Sequence, residues 1–226
     1  MAKYYHGTSE IFDEFNFNHM LAGHGNIKYG YGLYFTEQFS QAAHYASKCN
    51  KNVYYVYTVE VPDLKDGNYI SYFKGEAVNP SIVAAVERKL GEKIPADITA
   101  DGKDFRKYVG KRLCGITKKT PSKDEKYEME KAARDFFMSL GVEMYIWPVN
   151  WAKADGTTAT TYTGTKEIAM LDASKIKIEK LHQVECDANH HYIEGTAKEV
   201  NQKSCLSGSA ILMDSTISLF AKAKSR

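Results

Sequence analysis

Apolar positions recur along this chain with two different periods, and each period marks an element. Residues 53–61, Val-Tyr-Tyr-Val-Tyr-Thr-Val-Glu-Val, are dense in β-branched and aromatic side chains and stop at Pro62, which predicts a well-buried strand. Ahead of it, Phe39, Ala42, Ala43 and Ala46 follow i, i+3, i+4, i+7, the spacing of a helix with one small-residue face. A helix is expected to open at Asn79-Pro80, carry Val83, Val86 and Leu90 on one face and stop at Gly91. Another opens with the capping box Ser122-x-x-Glu125, buries Ala133, Phe136, Phe137 and Leu140, and ends at Gly141. After Gly141 the period changes to that of strands: Met144–Trp147, a Thr-rich stretch at 157–162, Ile168–Leu171 and Ile176–Ile178. The expected class is mixed α+β, with strands toward both ends and helices between them.

Bulk properties narrow this only a little. At 226 residues, 43% hydrophobic and 26% charged, the chain is an ordinary globular composition able to bury a core without metal or disulfide staples. A net charge of +2 gives no global argument for a polyanionic partner. The N-terminus shows no apolar export segment and no apolar run reaches membrane-spanning length, so a soluble, cytoplasmic protein is expected. Cys49, Cys114, Cys186 and Cys205 are widely spaced with no C-x-x-C, which fits free thiols in a reducing compartment.

The chemistry gathers in three short segments. His6-Gly7-Thr8 offers an imidazole that can both donate and accept, beside a glycine that permits close backbone approach to a ligand. Gly30-Tyr31-Gly32-Leu33-Tyr34-Phe35 reads as a turn entering a strand, with Tyr45 on the helix that follows; two aromatic faces suit a flat cation. Glu167 begins a late strand and continues Ile168-Ala169-Met170-Leu171-Asp172. Taken singly, these are an ordinary turn, a strand with core aromatics and an exposed strand residue. Their order and strand contexts are what raise them above that. Gly23-His24-Gly25 lacks a third glycine at the offset a dinucleotide-binding loop needs, which discards a Rossmann site.

Together the three segments resemble the His-Tyr-Glu signature of ADP-ribosyltransferases of the diphtheria-toxin and poly(ADP-ribose) polymerase type. The resemblance covers residues 3–61 and 140–178. It implies the ADP-ribosyltransferase fold, two small antiparallel sheets forming an NAD+ cleft with peripheral helices. It also implies a catalytic domain at 1–185 with a helical insertion at 62–139, and leaves 186–226 as an extension of unknown role. By the same resemblance NAD+ is the co-substrate, with no metal. His6, Gly7 and Thr8 would bind ribose and carboxamide, Tyr34 and Tyr45 would flank nicotinamide, and Glu167, with Tyr34 and His6, would be catalytic. Ala42 stands where many relatives carry a serine that contacts the carboxamide.

The resemblance implies a mono-transferring bacterial or phage effector or toxin, with a neutralising antitoxin as a candidate partner. It leaves the acceptor open between nucleic acid and protein. Residues 103–123 hold Lys103, Arg106, Lys107, Lys111, Arg112, Lys118, Lys119 and Lys123 against the single acid Asp104, which tilts the expectation toward RNA or DNA contacted by Arg106, Lys107, Lys111 and Arg112. An NAD+ glycohydrolase and a non-catalytic interaction domain remain alternatives. His182, Cys186, His190 and His191 are spaced for one face of a helix, but their turn-like neighbours favour surface histidines and a buried thiol over a metal site.

Overall fold

The computed structural model describes residues 1–18, 27–49, 51–149 and 165–201. The chain runs β1 (Ala2–Thr8), β2 (Leu33–Thr36), α1 (Phe39–Ser47), β3 (Tyr54–Val61), β4 (Tyr69–Ser71), α2 (Pro80–Leu90), α3 (Ala96–Thr99), α4 (Gly102–Leu113), α5 (Lys123–Ser139), β5 (Met144–Pro148) and β6 (Lys166–Met170). A 3-10 turn at Ala173–Lys175, β7 (Lys177–Val184) and β8 (Lys198–Glu199) complete it. The class is α+β, as expected. The strands form one open eight-stranded sheet, ordered β4-β5-β6-β2-β1-β3-β7-β8, where two small antiparallel sheets were expected, and its β4-β5 pair is parallel. The Thr-rich stretch at 157–162, Gly23–Gly25 and the chain beyond 201 lie outside the described residues. Among the described residues no helix is long and apolar enough to cross a membrane.

Local signals account for the best-formed helices. Asn79 caps α2 by accepting from Ser81 N, Pro80 takes the first helical position, and Gly91 closes the helix with φ of 71°. Ser122 and Glu125 form the reciprocal capping box of α5.

The chain divides into two compact units. The first comprises Met1–Tyr4, Asn16–Gln38 and Glu60–Lys177; the second comprises Tyr5–Phe15, Phe39–Val59 and Ile178–Arg226. In the first unit, α2, α4 and α5 cover a sheet face with a core of Ile70, Ile82, Val86, Phe105, Val109, Ala133, Phe137, Tyr145 and Trp147. In the second, Ala42 and Ala43 of α1 pack with Val56 and Val184.

Candidate functional site

In the first unit, Tyr34 and Glu167 lie on adjacent antiparallel strands. The register pairs Tyr34 with Ala169 and Thr36 with Glu167, and across β5 it pairs Tyr145 with Ala169 and Trp147 with Glu167. Directly opposed residues and those two apart share a sheet face, so Tyr34, Glu167, Tyr145 and Trp147 project to the same side. Glu167 is 8% exposed, and its Oε2 accepts from the Trp147 indole at 2.5 Å. Glu37 fixes the start of β6, accepting from Lys166 N at 2.6 Å and pairing with its ammonium at 3.0 Å.

Each glycine of the Gly-x-Gly segment has a structural reason. Gly30 has φ of +106° and passes so close to Tyr145 and Arg106 that a Cβ would lie 2.6 Å from the Tyr145 ring. A Cβ on Gly32 would lie 2.8 Å from that of Ala169 on β6. The Tyr34 hydroxyl donates to Gly30 O at 2.6 Å, and the Tyr34 ring meets Trp147 edge-on with centroids 5.6 Å apart. Burial pushes the Tyr34 phenol well above its usual range, so it stays a neutral donor. Tyr29 lies flat against Trp147 at 4.3 Å and 5°.

In the second unit, His6 sits on β1 with its ring edge-on to Phe15 at 5.2 Å and near Phe12 at 6.4 Å. That loop is pinned by Tyr57, whose hydroxyl accepts from Phe12 N and donates to Phe12 O, both at 2.8 Å. Gly7 permits a close approach, but the approaching group is α1: a Cβ would lie 1.7 Å from the Ala42 carbonyl oxygen. Thr8 Oγ1 accepts from Glu10 N, closing a tight turn. Ala42 is fully buried, and Tyr45 is 45% exposed, its ring tilted against His44 at 5.9 Å.

The basic segment requires a correction. Arg106 is 1% exposed; its guanidinium pairs with Glu130 at 2.8 and 3.0 Å, donates to Tyr72 OH at 2.6 Å and lies over the Tyr72 and Tyr145 rings. It therefore offers no charge to a nucleic acid. Arg112 is paired with Glu92, while among the described residues Lys107 meets Asp104 at 3.4 Å and the Lys111 ammonium donates to the Lys118 and Lys119 carbonyls. The signal for Arg106 was present in the sequence: it falls on the stripe of Phe105 and Val109, and Glu130 falls on the facing stripe of Met129, Ala133 and Phe137.

His182 lies on strand β7, while Cys186, His190 and His191 lie on the segment after it, so no helix brings the four together. The described residues contain no group of three His, Cys, Asp or Glu placed to hold a metal ion. Cys49, Cys114 and Cys186 are free thiols.

Sequence reading passed over Trp147 and Tyr29, whose place beside Glu167 and Tyr34 depends on strand register and on a stack between distant segments. Comparison with family models, curated proteins and solved structures returned no match.

Proposed function

We propose that the chain is an NAD+-dependent mono-ADP-ribosyltransferase of the toxin or effector type, acting on a macromolecular acceptor, and that its sheet is an ADP-ribosyltransferase core. The observation that carries this reading is the β2-β6 register, which sets Tyr34 and Glu167 on one face of neighbouring strands with the carboxylate buried against the Trp147 indole. The motif-bearing strands β1, β2 and β6 belong to one sheet, which also supports it.

NAD+ is the substrate in this reading. The bond between the ribose C1′ and nicotinamide nitrogen breaks, its electron pair leaves with neutral nicotinamide, and an acceptor lone pair forms the new bond to C1′ while the acceptor's proton passes to solvent. The ribose carries developing positive charge as the bond breaks, and a fixed, largely desolvated carboxylate at Glu167 stabilises it. The Tyr34 hydroxyl is tied to Gly30 O, so its ring is held as a fixed aromatic surface for the cationic nicotinamide ring of bound NAD+. His6, Gly7, Thr8 and Tyr45 take their ribose, carboxamide and nicotinamide roles from the resemblance alone. With Ala42 buried against the Gly7 backbone, no hydroxyl is supplied at that position.

Incubating the protein with NAD+ labelled in its adenylate half and with cell lysate tests the proposal. Nicotinamide release together with label on a polymer is expected, and separate nuclease and protease digestion identifies the polymer. Release with no polymer labelled would make water the acceptor, and no release at all would overturn the enzyme reading.

A further inference from the structure

With Arg106 and Arg112 occupied by carboxylates, the basic segment is left with a simpler pattern. Lys103, Lys107 and Lys111 recur at i, i+4, i+8 on α4 and so share one face of the helix. At 1.5 Å rise per residue the rungs are about 6 Å apart and the row is about 12 Å long. At its N-terminal end the Lys103 ammonium lies 5.6 Å from the centre of the Tyr29 ring, and Lys28 brings a second ammonium to 5.3 Å from the same ring. Neither Lys28 nor Lys103 meets a carboxylate among the described residues, and the Lys107–Asp104 pair is exposed and weak. Burial, and then the like charges of Lys107, Lys28 and Arg106, hold the Lys103 ammonium below its usual range against the opposing pull of Asp101. The Tyr29 ring is itself stacked on Trp147, which holds Glu167. The row therefore leads to the candidate site.

We propose that Lys28 and the lysine row Lys103, Lys107 and Lys111 bind the phosphate backbone of a single-stranded polynucleotide and lead it toward Glu167 as the acceptor. Its role as acceptor rests on the function proposed above. A row of flexible point charges suits a sequence-independent polyanion; a compact anion is better held by the planar fork of an arginine, and the nearest one is committed to Glu130. The two phosphates of a dinucleotide share one bridging oxygen and lie too close together to meet three rungs about 6 Å apart. A duplex is disfavoured because Glu167 is 8% exposed, and a base held in a stacked pair does not reach a recessed group.

The test is binding of a fluorescein-labelled single-stranded 20-mer to the full chain by anisotropy, over a series of salt concentrations and without NAD+. Four phosphate contacts give a slope of log affinity against log salt of about −2.8. Lys28→Gln with Lys107→Gln, both at exposed positions, should bring the slope to about −1.4 and weaken binding by about tenfold or more at low salt. Absence of binding, or an unchanged slope in the variant, would overturn the lysine row. So would displacement of the strand by millimolar NAD+, which would assign the lysines to the donor's pyrophosphate. Labelled NAD+ then tests the acceptor: a bound strand left unlabelled while another polymer in the mixture is labelled would overturn its role. No nicotinamide release and no label on any polymer would instead sink the Glu167 reading, with the salt slope still deciding the lysine row.

Discussion

The indole N–H of Trp147 donates to Glu167 Oε2 at 2.5 Å, and the two residues are direct cross-strand partners in the β5-β6 register. A buried carboxylate costs free energy unless its oxygens are hydrogen-bonded, so this pair both stabilises the strand end and orients the carboxylate. Two substitutions separate the roles. Under the proposed function, Glu167→Gln should keep fold and NAD+ binding while slowing transfer by about 10³-fold, because the variant lacks the charge proposed to stabilise the transition state. Near-normal labelling by this variant would refute a catalytic carboxylate.

Trp147→Phe keeps a ring against Tyr29 but deletes the donor. Under the proposed function, a lost charge-assisted hydrogen bond of about 1.5–3 kcal/mol corresponds to about a 10- to 150-fold fall in kcat, with KM for NAD+ little changed if orientation alone is affected. Steady-state nicotinamide release measures both constants. An unchanged kcat would reduce Trp147 to a packing residue, and a change confined to KM would point to substrate contact.

Arg106 and Glu130 form an ion pair inside the helical layer of the first unit, with the arginine 1% exposed. Removing one partner leaves the other charge buried without compensation, at a cost of about 3–5 kcal/mol. Arg106→Met should therefore lower the urea midpoint sharply, and Arg106→Met with Glu130→Leu should recover much of the loss. Equal destabilisation by the single and double variants would show that shape and not charge is what the pair supplies.

How far this molecule could be read from its sequence follows from the range of the interactions. The helices α2 and α5 were legible at both ends because Asn79, Pro80, Gly91, Ser122 and Glu125 act within one turn of themselves. Strand β3 was legible because its eight residues, Tyr54–Val61, are all β-branched or aromatic but for Glu60. Strand β4 was not: Tyr69–Ser71 is three residues long and exists through parallel pairing with β5, more than seventy residues away in sequence. The same distance hid the candidate site's supports. Tyr34 and Glu167 were visible as motif residues, yet that Trp147 holds one and meets the other edge-on depends on registers no local pattern encodes. A run of cations reads as a solvated face, so Arg106 became legible as a core residue only once the stripe of Glu130 was set against it.

Gly7 was read as a residue that lets a ligand approach the backbone, and its immediate neighbour in the second unit is the α1 backbone at Ala42. A Cβ 1.7 Å from a helix carbonyl cannot be relieved by turning a side chain, so strand and helix must separate. Gly7→Ala should lower the thermal midpoint through a loss of about 3 kcal/mol or more, before any effect on NAD+ is considered. A variant that melts like the wild type would show that α1 can shift freely, and would return Gly7 to a purely ligand-facing role.

Acid should weaken α5 through its capping box. The Lys118 ammonium, followed by the Ser122 backbone N–H, lowers the Glu125 carboxyl from its ordinary value near 4.5 to about 2. A depressed carboxylate contributes stability that is fully present above its unfolded value and is lost as the pH falls through its folded one. The window therefore runs from about pH 4.5 down to about pH 2. Glu125→Gln keeps an oxygen to accept from Ser122 N but carries no charge, so it isolates the electrostatic part. Thermal melts should show the wild type more stable than the variant at pH 7, with the gap narrowing below pH 4.5 and closing near pH 2. A gap that stays constant across that window would mean that Lys118 and Ser122 do not lower the carboxyl in solution, and that the capping box works by hydrogen bonding alone.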